Sequence, residues 1–297
     1  MKLEKASRSQ VKLRIGLSGP SGYGKTYSAL LLAYGITNDW SRIAIIDTEN
    51  GSASLYSHLG SFNVLKLDDP FSPERYIDAI NICQIIEGID VIIIDSITHE
   101  WQGKGGCLQI HEQLGGRFQD WSKVSPRHQA FIDTILNSIC HVITTTRRKV
   151  DYSLDTTQNG RTKVVKHGTK EITREGFEYE LTLNLELIND KHLAKASKDR
   201  TGLFMDKPEF IINASTGRKL VEWCSLGVSY DDVVKEVQSC MSIDGLKHLY
   251  KKYNNLQKQI HPKIIKRKEE LEALKNQIAS KESIVKPTKD ITNGLTN

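Results

Sequence analysis

The chain has 297 residues, 38% of them hydrophobic and 26% charged, with a formal net charge of +5. That length accommodates one domain with a full core plus an appendage, and the balance excludes a disordered chain. No apolar run reaches the roughly 18–20 residues that span a bilayer, residues 1–10 lack the apolar stretch of a secretory signal, and the five cysteines (Cys83, Cys107, Cys140, Cys224, Cys240) form no CxxC pair. The expectation is a cytoplasmic protein with no membrane partner, disulfide framework or zinc site.

Residues 11–18 (VKLRIGLS) become continuously apolar, as a buried strand does, and residues 25–36 (KTYSALLLAYGI) read as an apolar helix. Short β-branched runs follow at 42–47 (RIAIID), 62–67 (FNVLKL), 90–95 (DVIIID) and 140–145 (CHVITT). Helical stretches at 73–88 and 125–138 lie between them, opened by SPE and SPR signals that put proline in the first turn. Strands alternating with helices predict a mainly parallel sheet flanked by helices on both faces, an α/β fold. Residues 151–170 are polar and basic with Asn159-Gly160 and His167-Gly168 turn signals, a mobile loop or hairpin. Residues 177–188 (FEYELTLNLELI) alternate and, with 191–198 after the turn Asn189-Asp190, predict an antiparallel edge hairpin. Beyond Trp223 three segments, 230–241, 243–254 and 262–279, are helix-forming and lysine-rich. The expected organisation is a core over 1–225, a helical appendage over 226–280 and a disordered tail over 281–297.

The chemistry concentrates where the first strand meets the first helix. Gly19, Gly24, Lys25 and Thr26 fill the pattern GxxxxGK[ST], so Gly19, Pro20, Ser21, Gly22, Tyr23, Gly24, Lys25 and Thr26, with Tyr27 beside them, are the expected cradle for the phosphates of ATP. Glycine lets the backbone turn and approach closely, the helix that follows presents unpaired amides, Lys25 neutralises charge and the Thr26 hydroxyl ligates Mg2+. Asp95, ending an apolar strand, is the Walker B carboxylate that holds the metal through water. Hydrolysis also needs a group that orients and polarises water, usually a glutamate. Two candidates stand near strand ends, Glu49 in IDTEN and Glu100 in DSITHEW.

GPSGYGKT, IDTEN, VIIIDS and the polar strand end ITTTRRK resemble the ordered motifs of the RecA-like fold. More narrowly, they resemble phage-encoded AAA-family ATPases related to core-only RecA-like single-strand annealing proteins. In AAA+ ATPases the glutamate directly follows the Walker B aspartate, whereas Ser96 follows Asp95 here. Glu49 and Asp95 stand 24 and 70 residues beyond Lys25, separations similar to those of RecA, and the resemblance therefore prefers Glu49 to its rival Glu100. It also implies that a residue among Thr144, Thr145, Thr146 and Arg147 senses the γ-phosphate. Lys198 and Arg200 in KDRTG resemble the KNRFG motif of RadA and the equivalent element of DnaB-type helicases, where such cations complete the site of a neighbouring subunit. Self-association into a ring or filament is implied.

Single-stranded DNA is the expected substrate partner, since two loops combine positive charge with aromatic side chains. The first, 101–123, carries Trp101, Lys104, Arg117, Phe118, Trp121 and Lys123. The second carries Arg147, Arg148, Lys149, Tyr152, Arg161, Lys163, Lys166 and Lys170. A single-strand-binding or recombination protein is a further partner the resemblance implies. Competing readings are solvated charges over packed aromatics, a nucleotide-gated assembly factor that binds a protein partner, and a small-molecule kinase, for which no lid is evident.

Overall fold

The computed structural model describes residues 11–156, 162–225, 230–253 and 256–284, with side chains over 11–150, 169–225, 230–253 and 256–275. The chain divides into two compact units at Val221/Glu222, inside one helix.

The larger unit is built on nine strands among the described residues. In chain order its elements are β1 (Arg14–Gly19), α1 (Lys25–Thr37), β2 (Ile43–Asp47), β3 (Asn63–Lys66), α2 (Pro73–Ile85), β4 (Val91–Asp95), α3 (Thr98–Gln102), α4 (Cys107–Gln113), α5 (Trp121–Asn137), β5 (His141–Thr156), β6 (Thr162–Glu171), α6 (Phe177–Glu180), β7 (Leu183–Leu187), β8 (Leu193–Asp199), β9 (Phe210–Ile211) and the start of α7 (Ala214–Ser225). The sheet order is β3-β2-β4-β5-β1-β7-β8-β9. Neighbours from β3 to β7 pair in parallel, β8 and β9 add antiparallel, and β6 folds back on the outer half of β5. This is the α/β fold expected of a P-loop nucleotide-binding protein.

β1, β2 and β4 are buried along their whole length, as strands covered on both faces must be. Ala44, Ile46, Ile92, Ile94 and Val142 on one face pack against Tyr76, Ile80, Phe131 and Ile135 of α2 and α5. On α1 the absence of a side chain at Gly35 is required: a Cβ there would lie 2.1 Å from the Ala214 carbonyl at the start of α7. β1 carries an arginine because Arg14 has carbonyls to hold: its guanidinium donates to Leu136, Ser138 and Cys140, where α5 ends and β5 begins. Burial lowers its pKa to about 10.

Four expectations need correction. Residues 177–180 form a helical turn, not the first half of a strand. Gly176, at φ 95°, breaks the chain ahead of it, and Lys198 Nζ (2.9 Å to the Glu178 carbonyl) and Arg200 Nη2 (2.7 Å to the Tyr179 carbonyl) cap its open end. α5 begins at Trp121, so Pro126 sits inside the helix rather than in its first turn. Segment 101–123 is two short helices and a turn, because Gly105, Gly115 and Gly116 adopt positive φ between them. β5 runs past residue 145 to Thr156, because its outer half pairs with β6, and the basic segment takes the hairpin form of the two expected for it.

In the smaller unit α8 (Tyr230–Ser239), α9 (Ile243–Lys252) and α10 (Gln257–Ile284) bury Val233, Val237, Leu246, Leu249, Tyr253 and Ile260 against one another. α10 reaches four residues into the expected tail, and 285–297 lie outside the described residues. Among the described residues no helix is long and apolar enough to cross a membrane.

Candidate active site

β1 is flanked by β5 and β7, so the turn after Gly19 opens at the carboxyl end of the sheet, where α1 begins. Gly22 and Gly24 hold φ of 83° and 86°, a conformation that strains any other L residue, and open space surrounds the Cβ position of Gly22. Lys25 folds over the turn, its Nζ donating to the Gly19 and Pro20 carbonyls at 2.9 Å each. Burial lowers the Lys25 pKa, while the charges of Asp95 and Glu49 oppose the shift. His192, in the β7–β8 turn, places Nδ1 2.9 Å from the Tyr23 carbonyl and braces the cradle from outside.

Thr26 and Asp95 meet directly, Oγ1 donating to Oδ2 at 2.5 Å. The other Asp95 oxygen accepts from Thr145 Oγ1, also at 2.5 Å. Burial raises the pKa of Asp95 despite both hydroxyls. A hydroxyl and a carboxylate at the mouth of a phosphate cradle are hard oxygen donors of the kind Mg2+ selects, so the residues present fit that ion.

Glu49 follows β2, whose Asp47 fixes the turn by accepting the Glu49 and Ala53 amides at 2.7 and 2.9 Å. The Glu49 carboxylate faces the same cluster. Ser96 Oγ donates to its Oε1 at 3.1 Å, and Arg147 takes both oxygens, Nε to Oε1 at 3.0 Å and Nη2 to Oε2. Thr48 ties the strand ends together, its hydroxyl bonding the Ser96 amide and His99 Nδ1. The Asp95–Ser96 peptide is cis. Thus Lys25, Thr26, Glu49, Asp95, Thr145 and Arg147 converge on one site.

Glu100 points elsewhere. Its carboxylate is 0% exposed and accepts from Cys107 Sγ and His128 Nδ1, both at 3.0 Å. Among the described residues this trio is the one group of three His, Cys, Asp or Glu side chains gathered closely enough to share a metal, but the thiol and imidazole already satisfy the carboxylate.

Lys198 and Arg200 lie toward the far end of the sheet. Lys198 is level with Asn184, itself level with Gly16, and the Arg200 amide bonds Thr182, whose amide bonds Arg14. At about 3.3 Å per residue, Arg200 stands roughly 16 Å from the cradle's first glycine, out of reach of the chain's own nucleotide.

The two basic-aromatic segments share a cavity of about 840 Å³, lined by Trp101, Phe118, Trp121, Lys149, Lys170 and Arg174 among others. Trp101 stacks on Trp121 with ring centres 5.7 Å apart, His111 stacks on the same indole at 4.1 Å, and Phe118 is 93% exposed. Other expected cations are engaged within the chain: Arg148 with Glu171 and Glu186, Lys104 with Asp69, Arg117 with Asp120. Arg161 and the side chains of Tyr152, Lys163 and Lys166 lie outside the described residues.

Sequence reasoning missed Ser96 as a partner of Glu49, the joining of Cys107 and His128 to Glu100, and Tyr56, whose ring lies 5.8 Å from that of Tyr27 beside the cradle. Only Ser96 left a signal, standing where an AAA+ protein carries glutamate.

No curated protein matches the chain. Residues 11–231 match the family described as the AAA domain, about three quarters of the length and the whole nucleotide cluster. The chain therefore belongs to the AAA domain family, whose members are nucleotide-binding ATPases.

Proposed function

We propose that this chain is a RecA-like ATPase that binds ATP with Mg2+, hydrolyses the terminal phosphate with Glu49 orienting the water, and acts on single-stranded DNA in strand annealing or recombination. The observation that carries the reading is the convergence of Lys25, Thr26, Glu49 and Asp95 at the carboxyl ends of β1, β2 and β4. Lys25 releases the loop carbonyls and neutralises the phosphates. Thr26 directly and Asp95 through water would hold Mg2+, which would supply charge stabilisation at the terminal phosphate. Glu49 accepts a proton from the attacking water as the water oxygen bonds the γ-phosphorus, the bond from that phosphorus to the β–γ bridging oxygen breaks, and ADP and phosphate leave.

The DNA part is supported by the shared cavity, where stacked indoles and lysines meet beside the part of β5 just past its pairing with β1, the strand that also carries Thr145 and Arg147. Self-association is supported by the distance of Lys198 and Arg200 from their own cradle. To complete a neighbour's site they would exchange the Glu178 and Tyr179 carbonyls for phosphate oxygens.

The deciding experiment measures Mg2+-dependent ATP turnover with and without single-stranded DNA, beside Lys25→Ala, Glu49→Gln and Arg200→Ala. Stimulation by DNA, loss in the first two variants and loss in the third only at assembling concentrations are expected. Turnover indifferent to DNA together with no salt-sensitive DNA binding would overturn the DNA reading. ATP-dependent capture of a protein partner without any DNA effect would favour an assembly factor.

A further inference from the structure

The glycines that let the cradle form also leave it loose. Gly24, at φ 86° and ψ 25°, stands at the head of α1 and accepts from the Ser28 amide at 2.9 Å. A glycine occupies φ of either sign with little penalty, so the Tyr23–Gly24 peptide can turn over at small cost. One orientation offers the Gly24 N–H to an anion and the other offers the Tyr23 carbonyl, which repels it. Something outside the turn must choose between them.

His192 stands where that choice is made. Its Nδ1 is 2.9 Å from the Tyr23 carbonyl and 3.0 Å from where a Cβ on Gly24 would lie. A carbonyl only accepts, so Nδ1 carries the proton and donates. The Tyr23–Gly24 peptide is trans, so its N–H points opposite to the carbonyl that His192 holds. Among the described residues no acceptor meets that N–H. The hairpin tip is built to present the imidazole. Asn189 Oδ1 accepts the Lys191 and Leu193 amides at 3.1 and 3.2 Å, and His192 itself takes φ 61°. β7 brings the tip alongside the cradle, pairing with β1 up to Ser18, and a Cβ on Gly19 would lie 3.1 Å from the Leu187 carbonyl.

We propose that His192 is a positioning residue of the phosphate site, its Nδ1–H fixing the Tyr23–Gly24 peptide so that the Gly24 amide stays turned toward bound phosphate. The inference rests on the reading of the turn as the cradle for the phosphates of ATP. The bonds from Lys25 to the Gly19 and Pro20 carbonyls cannot do this work, because Lys25 leaves them when phosphate arrives. The bond from His192 comes from another strand pair, 169 residues along the chain, and persists through binding. The β7–β8 hairpin is thereby part of the phosphate site although none of its side chains touches the anion.

Two substitutions on the full chain separate the donor from the turn. Asparagine and glycine both tolerate the positive φ of residue 192, but only asparagine carries an N–H donor on Cγ, where the imidazole carries Nδ1. Affinities are measured with Mg2+ for a non-hydrolysable ATP analogue and, by competition, for inorganic triphosphate, which has no base or sugar. His192→Gly should weaken both probes about three- to tenfold, the scale of one hydrogen bond, while His192→Asn stays within about twofold of the native chain. In steady-state turnover the glycine variant should raise KM and leave kcat within about twofold, since the amide holds phosphate before and during transfer. Native affinity in His192→Gly, an equal loss in His192→Asn, a loss for the analogue but not for triphosphate, or a loss confined to kcat overturns the proposal. The failure of the underlying reading is seen separately, as Lys25→Ala binding both probes as tightly as the native chain.

Discussion

Glu49 and Glu100 each follow the carboxyl end of a buried strand by a few residues, and each is bound on two sides, yet their surroundings suit opposite tasks. Glu49 is partly exposed and held by a guanidinium and a hydroxyl that other anions and water can replace. Glu100 is sealed at 0% exposure between a thiol and an imidazole, with helices α3, α4 and α5 closing around it. The comparison teaches that what lies around a carboxylate, more than its place in the chain, decides whether it can exchange partners during a reaction. Glu49 is placed to be let go; Glu100 is placed to stay.

Exchange of the two side chains for glutamine should break them apart. In single-turnover hydrolysis Glu49→Gln should lose about 100-fold or more, the usual scale for removing a general base, while Glu100→Gln should stay within about threefold of the native chain. A comparable loss in both would erase the distinction. Stability should rank them in reverse. Glu100→Ala leaves the buried Cys107 and His128 donors unpaired and should cost about 3 kcal/mol in denaturant unfolding followed by the emission of neighbouring Trp101. Glu49→Ala, breaking a half-exposed pair, should cost under about 1 kcal/mol.

The sequence shows why one of these glutamates was easier to place than the other. GPSGYGKT and the strand-ending Asp95 were legible because a phosphate cradle demands glycine at positive φ and a buried strand shows as an unbroken apolar run, both local properties. Glu49 stood out from Glu100 only through the resemblance, whose strand-end position and separation from the P-loop lysine it shares. Its clasp by Arg147 was not legible, since the two are 98 residues apart and meet only because β4 and β5 lie between β2 and β1 in the sheet. Cys107 and His128 were likewise invisible as partners: they join through the packing of α4 and α5, which leaves no fixed interval in the chain. The strand expected over 177–188 misled for the opposite reason. FEYE alternates as well as any strand, but the capping cations that favour a helical turn there come from residues 198 and 200.

The Glu100 side of the comparison extends to the cavity. His128 lies edge-on to Trp101 with ring centres 5.4 Å apart, and Trp101 stacks on Trp121. Trp121→Ala should therefore weaken single-stranded DNA binding by about 2 kcal/mol, the range measured for stacked bases, while ATP turnover without DNA is unchanged. Glu100→Gln should shift DNA affinity in the same direction by less. Fluorescence anisotropy at fixed salt checks both, and equal affinity in Trp121→Ala would remove the cavity from the DNA path.

Asp95 supplies the finest test, because it combines the burial of Glu100 with the task of Glu49. Burial raises its pKa above that of the unfolded chain, so the folded state binds the proton more tightly. Stability assigned to this group is therefore lost as pH rises from the ordinary carboxyl range through the raised pKa, above which the buried charge opposes folding. Asp95→Asn removes that opposition, and the Thr26 and Thr145 hydroxyls, able to accept as well as donate, can rotate to suit the amide. Without nucleotide, thermal unfolding at pH 7 should show the variant more stable than the native chain, with the gap closing as pH falls below about 4. Mg2+ with ATP should invert the order, since ligand binding raises the stability only of the chain that can hold the metal. A variant less stable than the native chain at pH 7, or a gap that ignores pH, would mean that the buried carboxylate is stabilised by its two threonines more than burial opposes it. Asp95 would then belong with Glu100 as a fixture of the core rather than with Glu49 as a group kept ready for a partner.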